Sequence, residues 1–191
     1  MIKINSKLRF LKSGFTLLEM IISIGIFSVI VIAAIGITLS VSNAQIKTAN
    51  IQAIQDNIRF SLELITKEMR TGSKYTLTSI CAGPGSEISF DTALDEKRVY
   101  FLDSANKRIM RAKEMITTSD CDGSSKKAAP FTAEDVFVDR LIFLTTGNLR
   151  GPVDGQPRIT ILLKVRSKSP KFELESSMDL QTTVVQRFRD L

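Results

Sequence analysis

Three residues stand out chemically from their surroundings: Glu19, an acid inside an apolar stretch, and Cys81 and Cys121, the chain's two cysteines. Glu19 is the single charge in the 32 residues from Phe15 to Ile46. An acid at mid-membrane costs about 2.5 to 3.5 kcal/mol, less near the interface, where the side chain can reach headgroups. Glu19 is five residues into the apolar run, so it either snorkels to the interface or meets a partner. Cys81 and Cys121 both follow that run. In an oxidising compartment they can pair, closing a loop for roughly 3 to 4 kcal/mol in the chain-entropy model; the alternative is two unpaired thiols. Neither has a second cysteine nearby, and the chain has no histidine, so nothing suggests a zinc site.

Absent histidine also removes Ser-His and Cys-His activation of a nucleophile and the commonest acid-base group. No G-x-x-x-x-G-K-[ST] or G-x-G-x-x-G phosphate loop occurs. The adjacent carboxylates Asp95-Glu96 and Glu134-Asp135 flank expected strands or turns and read as surface charge. Asp120, Asp122 and Ser125 around Gly123 superficially resemble a calcium loop, but no bidentate acid follows and Lys126-Lys127 would repel the ion, so a solvated loop is expected. The expectation is a chain that is not an enzyme and carries no metal or cofactor.

These residues must be positioned by two kinds of element. The 20 residues from Met20 to Leu39 carry no charge and are long enough to cross a hydrocarbon layer of ~30 Å as a helix. Lys3, Lys7, Arg9 and Lys12 precede them with no acid, which predicts a cytoplasmic amino end and an exported remainder. Four of the 26 basic residues thus belong to the leader, leaving 22 against 20 acidic residues, so the net charge of +6 is a weak argument for a nucleic-acid binder. Ser42-Asn43-Ala44 could pass for a signal-peptidase site, but the run before it far exceeds the 7–15 residues of a secretory signal.

Beyond Ile46 the pattern becomes one-sided. Ile51, Ile54, Ile58, Leu62, Ile65 and Met69 recur every three or four residues, predicting an amphipathic helix with one stripe against a globular head. Gly72 is a plausible stop, with Arg70 near the helix end. No proline falls between Phe15 and Gly72, so Phe15 to Arg70 can run as one helix of 56 residues, about 84 Å at 1.5 Å per residue. Gly36-x-x-x-Ser40 is a small-x-x-x-small pair that admits a close helix neighbour, and Gly25 also lies in the span. From Tyr75 onward, strands are expected at Glu87–Asp91, Arg98–Leu102, Arg108–Ala112, Val136–Thr145, Arg158–Val165 and Gln181–Phe188, with a hairpin around Asp103 to Lys107. Phe90, Phe101, Phe137, Phe143, Ile142, Ile159, Ile161 and Leu163 are the core candidates. The class is α+β, a long amino-terminal helix packed on an antiparallel sheet.

Lys12-Ser13-Gly14-Phe15-Thr16-Leu17-Leu18-Glu19, followed by an uncharged run, resembles the class III signal of the type IV pilin superfamily, which comprises pilins, minor pilins and the pseudopilins of type II secretion. The resemblance implies cleavage after Gly14 by a prepilin peptidase, N-methylation of Phe15 and retention of the apolar helix. It further implies assembly with other pilins or pseudopilins at an inner-membrane platform, with Glu19 facing the Phe15 amine of a neighbouring subunit. The implied layout is 1–14 cleaved leader, 15–40 membrane and filament-core helix, 41–74 amphipathic continuation and 75–191 β-rich head. Phe60 to Arg70 and Gly25-Ile26-Phe27 are similar to J-type pseudopilins or W-type minor pilins. Many major pilins have proline where this chain has Gly36, so the local helix loosening seen there is not implied. Two other readings remain: a head that binds a ligand or DNA, for which Lys107, Arg108, Arg111, Lys113 and Lys126-Lys127 are the only basic concentration, and an anchored protein that never assembles.

Overall fold

The computed structural model describes residues 14–114, 116–121, 127–147, 156–169 and 174–187. One helix, α1, spans Leu17–Thr71, within a residue or two of the 56 expected from the absence of proline. Two compact units divide within it, 1–44 and 45–191.

In the first unit α1 is exposed almost throughout, with Leu17, Phe27 and Ile32 each more than 60% accessible. The helix is long and apolar enough to cross a membrane. Two of its hydroxyls bond back to the helix itself, Ser28 to the Ile24 carbonyl (2.7 Å) and Thr38 to the Ala34 carbonyl (2.8 Å). Internal satisfaction of this kind suits a segment surrounded by lipid, which offers no partner.

In the second unit most of the amphipathic stripe is buried: Ile54, Ile58, Ile65 and Met69 are at most 1% accessible, with Ser61 between them, while Ile51 and Leu62 are half-buried. It covers two antiparallel sheets rather than one. Sheet 1 runs in the order β1 (Ser73–Leu77), β2 (Glu87–Asp91), β3 (Lys97–Asp103), β4 (Arg108–Ala112), β5 (Ala128–Pro130); sheet 2 is β6 (Val136–Thr146), β7 (Arg158–Ser167), β8 (Ser177–Val185). Alternation along sheet 2 turns Val136, Val138, Leu141, Phe143, Ile159, Ile161, Leu163, Val165 and Val184 inward. A bulge at Asp139 restores that parity between Val138 and Leu141.

The inner strands of sheet 1, β2 to β4, are buried on both faces. Ile88, Phe90, Tyr100, Leu102 and Ile109 belong to the main core with the helix stripe, whereas Val99, Phe101, Met110 and Ala112 form a second cluster with Ile116 and Ala128. The helix ends where expected. A Cβ on Gly72 would lie 2.6 Å from Phe90 Cδ2 and 3.0 Å from the Asp91 carbonyl oxygen, so only glycine lets the chain pass β2 this closely. Tyr75 Oη donates to the Met69 and Gly72 carbonyls and Arg187 N–H to the Arg70 carbonyl (2.8 Å), satisfying helix-end acceptors.

Several details differ from expectation. Phe137 and Ile142 are half-buried on the outer face of β6, Phe137 by alternation with Val136 and Val138 and Ile142 because the bulge shifts the alternation beyond it. There Arg166 and Lys168 sit over the Phe137 ring at 5.1 and 5.8 Å. Beside Ile142 the loop at Gly85 (φ +79°) accepts a hydrogen bond from Phe143 N–H (2.6 Å). The last strand is Ser177–Val185 instead of Gln181–Phe188, set by ladder pairing along all of β7 rather than by apolar density. β1 and β5 were unexpected: β1 carries Lys74 at φ +55°, and β5 is three residues long and ends in proline.

Candidate functional site: the amino-terminal helix and the stapled head

The expected processing point lies where α1 begins. Gly14, Phe15 and Thr16 are outside the helix, exposed, and nothing lies within 4 Å of a Cβ placed on Gly14. Thr16 is the N-cap: its Oγ1 accepts from Glu19 N–H at 3.2 Å, supplying a partner for one of the four orphan amides of a helix start. Thr16-Leu17-Leu18-Glu19 has the T-x-x-E spacing of a capping box, a signal in the sequence that the reading of Glu19 as a lone acid passed over. Among the described residues no hydrogen bond or ion pair engages the Glu19 carboxylate, which is exposed, as is Ile22 one turn further on. Gly25 and Gly36 likewise have open flanks, with nothing within 4 Å of an added Cβ.

In the head, Cys81 and Cys121 are joined, with Cα atoms 5.1 Å apart and a sequence separation of 40. Cys81 lies in the loop after β1 and Cys121 follows the short 3₁₀ turn Thr118–Asp120. Buried Glu87, on the outer face of β2, holds that loop: its carboxylate accepts from Cys81 N–H (2.7 Å), Ala82 N–H (3.2 Å) and Thr78 Oγ1 (2.6 Å). Cys81 and Ala82 pack on the second apolar cluster, so bridge and carboxylate together seal the outer face of sheet 1.

The basic concentration is largely neutralised. Lys107 Nζ reaches Asp139 (3.1 Å), Arg108 reaches Glu134 (3.3 Å), Arg111 reaches Glu68 (3.4 Å) and Lys127 lies 4.0 Å from Asp120. Burial would raise the Asp139 pKa, but hydrogen bonds from Lys107 and Arg166 outweigh it and hold the carboxyl below its ordinary value. Glu68 on α1 also accepts from Tyr100 Oη (2.7 Å), and burial followed by that acid pushes the phenol well above its usual range, so it stays a donor. Of the residues resembling a calcium loop, Asp120 accepts from Thr117 N–H (2.9 Å) and Thr117 Oγ1 (2.8 Å); Asp122, Gly123, Ser125 and Lys126 lie outside the described residues.

Residues 9–35 match the family model described as the prokaryotic N-terminal methylation motif. Its amino-terminal segment is type IV pilin-like. The motif implies processing by a prepilin peptidase, and the helix that follows it is long and apolar enough to anchor the chain in a membrane. No curated protein and no solved structure matched this pilin-like chain.

Proposed function

We propose that this chain is a minor pilin or pseudopilin, of the J- or W-type, and that its role is structural rather than catalytic. A prepilin peptidase cuts after Gly14 and the new amino terminus at Phe15 is methylated. Until assembly the chain sits as a single-pass protein of the cytoplasmic membrane with its head outside the cytoplasm, and it then joins a type IV pilus or type II secretion pseudopilus through its helix. The observation that carries this reading is the Glu19 carboxylate, with no partner among the described residues, on an exposed apolar helix. Cleavage removes Lys3, Lys7, Arg9 and Lys12 and leaves one amine at Phe15, four residues from Glu19. Among packed helices a carboxylate is tolerated only when paired, and the amine of a neighbouring subunit supplies the pair and fixes register.

Engagement of Lys107, Arg108 and Arg111 by acids disfavours a DNA-binding head, since salt-sensitive DNA retention needs unpaired cations. Glu19→Gln keeps size and removes charge. Leaving one charge of a buried pair unmatched costs about 3 to 5 kcal/mol, so the variant is expected to insert and be cleaved normally but to enter sheared fibres at less than a tenth of the wild-type level. Normal incorporation would contradict the assembly role, and a wild-type chain absent from fibres would favour the non-assembling anchor.

A further inference from the structure

We propose that Thr16 is a positioning residue for processing: by capping α1 it halts the helix two residues beyond the Gly14–Phe15 peptide bond and keeps that bond in non-helical chain, where a peptidase can reach it. The inference rests on the prepilin reading above.

A peptide bond inside a helix has its backbone groups engaged in the ladder and its carbon shielded by the turn, so hydrolysis requires local unwinding. Near a membrane the opposing tendency is strong, because each orphan N–H at a helix start needs a partner that lipid does not supply. Without a cap, the cheapest remedy is to extend the helix outward through Phe15 and Gly14. The Thr16 hydroxyl removes that incentive by accepting from Glu19 N–H at 3.2 Å. The first helical hydrogen bond accordingly runs from Met20 N–H to the Thr16 carbonyl (3.2 Å), α1 begins at Leu17, and Gly14, Phe15 and Thr16 carry no regular secondary structure. The bond accepted by Thr16 comes from the Glu19 backbone, so the carboxylate remains available for the subunit contact. Residues 16 and 19 thus divide the work, one for cutting and the other for assembly.

The test uses the full-length precursor in membranes with a prepilin peptidase, following initial cleavage rates and verifying the product by mass. An N-cap is worth about 1 kcal/mol, roughly a fivefold change in the capped population. Thr16→Ser and Thr16→Asn, good caps, are expected to be cut within twofold of wild type; Thr16→Ala and Thr16→Val are expected to fall about fivefold in kcat/KM. Direct reading of the side-chain shape by the peptidase would give the reverse order, with isosteric valine best and asparagine worst. A second variant separates capping from hydroxyl recognition: in Thr16→Val/Leu17→Pro, proline at the first helical position pushes residue 16 out of the helical region and restores the stop without a hydroxyl. Recovery to within twofold of wild type supports the proposal. Thr16→Val cut at the wild-type rate, or slowed and not rescued by Leu17→Pro, overturns it. Wild type left uncut overturns the prepilin reading, and this inference with it.

Discussion

Removing the bridge by Cys81→Ser/Cys121→Ser measures what the staple contributes, and the geometry sets both size and place of the effect. Cross-linking residues 40 apart removes about 13 cal/mol/K of denatured-state entropy, or about 4 kcal/mol at 25 °C. Against a typical urea m-value of about 2 kcal/mol/M, the unfolding midpoint should fall by about 2 M. The loss should also be local. Loops 78–86 and 117–121 cover Val99, Phe101, Met110 and Ala112, whereas Ile54, Ile58, Ile65 and Met69 are buried in the other cluster. Hydrogen exchange on the detergent-solubilised chain is therefore expected to quicken first at Cys81, Ala82 and the neighbouring β4, with the α1 stripe still protected. Urea titration with and without reductant gives the magnitude, and exchange gives the location. A midpoint shift below about 0.5 M, or uniform loss of protection including Ile58 and Ile65, would refute the view that the bridge seals one face of sheet 1 over an independently packed helix.

Gly72→Ala places a methyl 2.6 Å from Phe90 Cδ2 and 3.0 Å from a backbone oxygen that cannot yield. Overpacking of this kind costs about 2 kcal/mol, a fall in Tm of about 4 to 8 °C for a chain of this size; a change under 1 °C would show that the turn readily moves. On acidification, Asp91 and Asp139 matter most. Lys97 at 2.6 Å and Lys74 at 3.1 Å hold the Asp91 carboxyl below its ordinary value, and Lys107 with Arg166 does so for Asp139 against the effect of burial. A depressed folded-state pKa gives stability that is complete above the unfolded value of about 3.9 and lost as pH falls through the folded value. Asp91→Asn/Asp139→Asn should thus flatten the urea midpoint between about pH 4 and pH 2 relative to wild type, an effect reduced by salt because the lysines are half exposed. Parallel curves would contradict these pairings.

Much of this was legible in the chain. The single helix followed from an uninterrupted apolar run, a later 3–4 spacing and the absence of proline, and β2 and β4 from their flanking turn residues. Legibility failed where local pattern was not the deciding force. β1 and β5 are short and each buries a single residue, so no apolar pattern marked them; the second cluster exists because a disulfide and Glu87 hold a loop over it. The Asp139 bulge reversed the facing of Ile142 relative to simple alternation, leaving it on the same outer side as Phe137. β8 was displaced because ladder pairing with β7 outweighed the apolar density of residues 184–188. At the amino end Glu19 was found from its charge, but Thr16 was overlooked although the T-x-x-E spacing was present, because capping chemistry is read at helix boundaries and the boundary was placed at Phe15.

Intact-mass and amino-terminal sequencing of the chain recovered from its native membrane tests the central claim most directly. The account predicts a polypeptide that starts at Phe15 and is heavier by one methyl group at its amine. A chain still starting at Met1, or one starting at Gln45, would contradict it.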